Sequence, residues 1–130
     1  MVRICDYGYI INTNFFKLVK NKVNYGNLNP ILDLIVEAGI NGLWPLEVNS
    51  YMDAIQIRKK YGNKLFLVGN LDKRKIALGG ENMKNEINSK LPILKEMGGY
   101  IPGLDHLVHT EFTFDRFKEY ANYIKKHLTY

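Results

Sequence analysis

Cysteine is almost missing from this chain: Cys5 is the only one among 130 residues. One thiol excludes an internal disulfide and any multi-cysteine zinc module, and it fits a reducing, cytoplasmic setting. Long apolar runs are missing as well. Aliphatic stretches such as residues 65–68 fall far short of the about 20 residues a membrane helix needs, so no membrane partner is expected. Met1-Val-Arg-Ile-Cys-Asp6 places an acid where a secretory signal needs an apolar run, so secretion is not expected either. Charge of one sign is nowhere concentrated. Lys17, Lys20, Lys22, Lys59, Lys60, Lys125 and Lys126 are scattered, with Glu81, Glu86 and Glu119 among the basic residues. The net charge of +5 therefore reads as solvated helix faces, and no nucleic-acid partner is expected.

What is present is a globular composition, 46% hydrophobic and 24% charged, in a length that makes one domain over residues 1–130. From Asn29 onward the pattern alternates between helix and strand. Ile31, Leu34, Ile35 and Ala38 follow helical spacing, with Pro30 suited to a first turn and Gly39 to a stop. Residues 42–47 read as a short buried strand, and Ser50 as the cap of a helix reaching Tyr61. Residues 64–68 form the clearest strand, with 69–72 as the turn leaving it. A helical turn near 74–78 precedes a helix with Met83, Ile87, Leu91 and Leu94 on one stripe, in which Pro92 predicts a kink or restart. Residues 98–101 read as a further strand. Thr113 caps a last helix whose inner face is Phe117, Tyr120, Ala121, Ile124 and Leu128. In the first 28 residues, Phe15, Phe16 and Val19 suggest a helix, while residues 25–27 resemble a loop after a strand.

Such alternation with short links predicts an α/β fold with a parallel sheet. Sites in these folds form at the C-terminal ends of the strands. Reading those ends yields Glu47, then Asn70 and Asp72, then Asp105 and His106. The plainer alternatives are that Asp72 caps the following turn and that Glu47 is a solvated loop acid. His106, flanked by Asp105, can donate or accept a hydrogen bond near neutral pH. His106 and His109 lack the further donors a zinc site requires, so no metal is expected. Gly79-Gly80 and Gly98-Gly99 match neither phosphate-loop pattern, and no serine sits in a nucleophile elbow. His127 reads as a cation near a helix C-terminus.

Four segments, in order and spacing, resemble the uroporphyrinogen decarboxylase family. They are Tyr25-Gly-Asn-Leu-Asn-Pro-Ile-Leu32, Glu37-Ala-Gly-Ile-Asn-Gly-Leu-Trp-Pro-Leu-Glu47, Tyr61-Gly-Asn-Lys-Leu-Phe-Leu-Val-Gly-Asn-Leu-Asp72 and Gly98-Gly-Tyr-Ile-Pro-Gly-Leu-Asp-His106. The resemblance spans residues 25–128 and implies the C-terminal half of a (β/α)8 TIM barrel, a fold of typically about 250 residues. It also implies a lyase of porphyrin biosynthesis that decarboxylates a tetrapyrrole after ring protonation, without metal or organic cofactor. His106 matches the family's substrate-contacting histidine, and Glu47 and Asp72 match motif positions on the same rim. The family's substrate-holding arginines and its pyrrole-binding aspartate belong to the barrel's first half, and nothing here matches them.

A related branch, the cobamide-dependent methyltransferases, uses zinc on the same barrel. Its His and Cys ligand positions are occupied here by Val23 and Tyr25, and its later cysteine by His106, so zinc-dependent methyl transfer fits poorly. Tyr25 also replaces the acid usual in decarboxylase-like members. Two other readings stay open: a non-catalytic half-barrel remnant, and a flavodoxin-type doubly wound domain that lacks its phosphate loop. Open sheet edges in a half barrel predict self-association or pairing with a complementary half.

Overall fold

The computed structural model describes residues 9–11, 19–20, 26–108, 110 and 112–128. Two short strands come first, β1 (Tyr9–Ile11) and β2 (Val19–Lys20). Helices and strands then alternate: α1 (Leu32–Glu37), β3 (Gly42–Trp44), α2 (Ala54–Tyr61), β4 (Phe66–Leu71), α3 (Lys73–Leu78), α4 (Gly80–Met97), β5 (Tyr100–Leu104) and α5 (Phe114–Leu128). The fold is α/β, with three parallel strands separated by helices. Val19 lies in a strand rather than a helix, and Phe15, Phe16, Val23, Tyr25 and His109 lie outside the described residues. No helix among the described residues is long and apolar enough to cross a membrane.

Several boundaries differ from the sequence expectation, each for a local reason. In α1 the buried pair is Leu32 and Ile35, whereas Ile31 and Leu34 are exposed; a helix of six residues is too short for its periodicity to fix the phase. Strand β3 stops at Trp44, because Pro45 has no N–H to offer the ladder. Asp53, not Ser50, caps α2: its Oδ1 accepts from Ile55 N at 2.8 Å and Gln56 N at 3.1 Å. Helix α4 runs unbroken through Pro92. Strands β4 and β5 reach Leu71 and Leu104, so residues expected as a turn are paired. In α5, Tyr120 and Ile124 are buried, while Phe117 and Leu128 remain exposed.

The sheet order is β2-β1-β3-β4-β5. Strands β3, β4 and β5 are parallel, with Leu43 beside Leu67 and Leu67 beside Tyr100. Strand β1 runs antiparallel to both of its neighbours. A (β/α)8 barrel is parallel throughout, so this edge departs from that plan. Among the described residues, the five helices pack on one sheet face. Leu43, Leu67 and Leu94 share a core with Leu32, Ile35, Ala54 and Ile57. Leu71 shares a second with Ile76, Met83, Ile87, Leu91, Tyr120 and Ile124. Strand alternation sends Phe66 and Val68, with Ile101 beside Val68, to the opposite face.

At the other end of the strands, Arg58 clamps two loops. It is only 3% exposed, and its guanidinium donates to Gly62 O at 2.6 Å and to Gly99 O. Gly98 and Gly99 both hold positive φ, +71° and +61°, which L side chains rarely adopt. A Cβ on Gly98 would meet open space, whereas one on Gly99 would lie 2.7 Å from Arg58 Nη2. Gly98→Ala is therefore expected to lose about 1 kcal/mol from backbone strain. Gly99→Ala, which also dislodges a buried guanidinium, should lose about 3 kcal/mol. Urea unfolding of the two variants checks the ranking, and equal losses would refute the clamp.

Candidate functional site

Because β3, β4 and β5 are parallel, their C-terminal ends open on one rim, and a single side chain joins all three. Asp105 follows β5 and is 3% exposed. Its Oδ2 accepts from Val48 N beyond β3 at 3.0 Å, and its Oδ1 from Lys73 N beyond β4 at 2.9 Å. Its own N–H donates to Leu71 O at 2.8 Å. Burial pushes the Asp105 carboxyl above its ordinary range, and the two N–H donors counter that rise.

Asp72 is 2% exposed and stands at the start of α3. Its Oδ1 accepts from Arg74 N at 3.0 Å, as a cap, and from Arg74 Nε at 2.9 Å. Arg74 Nη2 completes a two-pronged pair to Oδ2 at 2.8 Å, and Nη1 donates to Asn49 Oδ1 at 2.8 Å. The Arg74 side chain holds the Asp72 carboxyl below its ordinary value. Behind them, Asp72 N donates to Glu86 Oε1 at 3.0 Å. Glu86, buried in α4, also receives Lys75 at 3.0 Å and Lys90. Burial works to raise the Glu86 carboxyl, yet the Asp72 N–H and the two lysines outweigh it and leave the group lowered.

Asn70 takes a positive φ of 69° at the exit of β4. Its Oδ1 accepts from Ala54 N at 3.0 Å, and its Nδ2 donates to Leu46 O at 3.1 Å and Met52 O at 2.7 Å. Lys90 Nζ donates to the Asn70 carbonyl at 2.6 Å. Every polar atom of this 1%-exposed side chain is engaged, so Asn70 fastens the loop after β3 onto β4.

The structure thus brings the five expected residues onto one rim and divides them. Asn70, Asp72 and Asp105 lie beneath the surface, bonded to the protein's own backbone and to Arg74. Glu47 and His106 are half-buried, and Glu47 accepts from Ser50 Oγ at 2.8 Å. Facing solvent beside them are Arg74, whose side chain is 57% exposed, and Asn49. Sequence reasoning missed Arg74, Asn49, Glu86 and Lys90. The Asp72-x-Arg74 spacing at a helix start was the available signal for the first of these. A cleft of about 290 Å³ lined by Asn29, Leu32, Tyr51, Asp53 and Lys60 shares no residue with the rim.

Comparisons of the chain with protein-family models, with curated proteins and with solved structures each return no match.

The Asp72 carboxylate is lowered in the folded state, so its contribution is present above its ordinary pKa of 3.8 and fades as pH falls through the folded value. Asp72→Ala, which removes both the cap and the pair, should lose about 2 kcal/mol at neutral pH. The gap between wild type and variant should narrow below about pH 3.8. Chemical unfolding across pH checks both parts.

Proposed function

We propose that this chain is a uroporphyrinogen decarboxylase-like protein whose strand-end rim meets a carboxylate-bearing substrate, a tetrapyrrole in the leading reading. The observation that carries the proposal is the convergence of three consecutive parallel strand ends on one braced rim, with His106 and Arg74 on its solvent side. In this reading His106 contacts a substrate carboxylate. Arg74 adds a cation of the kind the family's first-half arginines supply. Asp72, Asp105 and Asn70 act as positioning residues that hold the loops. Ring protonation precedes loss of an acetate carboxyl group as CO2, and the residues of this chain bind and orient the substrate for that step.

In this reading residues 25–128 correspond to the closing half of a (β/α)8 barrel, a fold of typically about 250 residues. Completion at the β3 edge requires that β1 give way to a parallel strand. The burial of Asp72 and Asp105 favours a second reading, a non-catalytic half-barrel remnant in which the rim is purely structural.

Anaerobic titration of uroporphyrinogen into the purified chain separates the two. The expected result is measurable binding, weakened about 10-fold by His106→Ala and by Arg74→Ala, the loss that follows from removing one charge-assisted hydrogen bond. Turnover by the chain alone should be slight. Absence of binding overturns the decarboxylase reading, and ordinary turnover untouched by His106→Ala overturns the site assignment.

A further inference from the structure

A further cavity, of about 400 Å³, lies at the end of the sheet opposite the rim. It is lined by Asn41, Arg58, Asn63, Leu65, Phe66 and Gly99. Asn41, Asn63 and Gly99 belong to the three segments that enter β3, β4 and β5, and Arg58 comes from α2.

Arg58 is the unusual member of this set. It is 3% exposed, yet among the described residues no carboxylate pairs with it. Its partners are two carbonyl oxygens, Gly62 O at 2.6 Å and Gly99 O, and its Nε–H has none among the described residues. Burial pushes its pKa down, with no neighbouring anion to push it back. A guanidinium nevertheless stays charged. A buried charge without a counter-ion is costly, and two carbonyl dipoles meet only part of that cost.

Gly99 leaves the charge approachable. A Cβ there would lie 2.7 Å from Arg58 Nη2 and 3.2 Å from both Cζ and Nη1, against the guanidinium itself. Asn41 and Asn63 add amide groups to the wall, each with two N–H donors. Lys64, exposed and between two lining residues in the chain, enters no ion pair among the described residues. Leu65 and Phe66 supply an apolar side.

We propose that this cavity binds a phosphate group, with Arg58 as its counter-charge and the Asn41 and Asn63 amides as further donors. Donors drawn from separate segments suit a group whose oxygens point apart. A phosphate has at least three such oxygens, whereas a carboxylate has two in one plane. The site lies at the strand N-termini and stands apart from the decarboxylase reading, whose rim is at the other end.

Titration of the isotope-labelled full chain with sodium phosphate, followed by nuclear magnetic resonance at constant ionic strength, tests it. The Arg58 Nε–H and Gly99 N–H signals should shift saturably. The expected midpoint is about 1 mM, the affinity of about two charge-assisted hydrogen bonds. Asn63→Asp, at an exposed position, places an anion at the mouth and should raise that midpoint about 10-fold with the fold unchanged. Phenyl phosphate distinguishes the source of the group. A lower midpoint than inorganic phosphate identifies a phosphomonoester resting on Leu65 and Phe66, and an equal or higher one identifies free phosphate; both uphold the site. Unmoved Arg58 and Gly99 signals, or shifts that stay linear with concentration, overturn the proposal. So does a midpoint untouched by Asn63→Asp, and so does acetate binding as tightly as phosphate. A saturable shift confined to Arg74 and His106 overturns it while leaving the rim reading intact.

Discussion

The arrangement of the rim depends on one buried carboxylate. Parallel strands run out of ladder partners at their ends, and the backbone groups of the departing loops must be satisfied by something else. Asp105 does this for two loops at once, accepting from Val48 N and Lys73 N while its own N–H returns to Leu71 O. Asn70 does the same for the segment 46–54 through three hydrogen bonds. A buried anion must be compensated, and Asp105 has two N–H donors beside it and the charges of Lys73 and Arg74 in reach, against the negative Asp72 nearby. Arg74 makes that neighbourhood tolerable by pairing with Asp72 through two hydrogen bonds. The dependency therefore runs from Arg74 to Asp72, from there to the helix start, and so to the loop that Asp105 holds.

This order of dependence explains which parts of the molecule were legible beforehand. Alternation of apolar segments and turn residues suffices for an α/β class, because strand and helix periods are local properties. The rule that sites gather at strand ends led to Glu47, Asn70, Asp72, Asp105 and His106 without any knowledge of contacts. What a local pattern cannot carry is burial set at a distance. Val48 and Asp105 are 57 residues apart, and Asn70 and Leu46 are 24 apart. Nothing near Asp105 in sequence tells whether its oxygens meet substrate or backbone. The extension of β4 past Gly69 was hidden for a related reason. Gly-Asn reads as a turn, and only tertiary hydrogen bonds to Asn70 keep that segment in the sheet. The antiparallel β1 had no readable signal at all, since strand direction is a property of the partner edge.

The burial of the acids also resolves an apparent conflict in the charge of the rim. Three carboxylates around a rim proposed to meet an anionic substrate look unfavourable. With Asp72 and Asp105 only 2% and 3% exposed, however, solvent meets chiefly Arg74, His106, Asn49 and the half-buried Glu47. A guanidinium has five N–H donors in a fixed fork. Three are engaged inward, by Nε and Nη2 to Asp72 and by Nη1 to Asn49. Two remain, one on each terminal nitrogen, and the inward bonds fix the plane in which they point. The acids thus orient a cation instead of opposing an anion. The cost is a weaker net field than a free arginine would give.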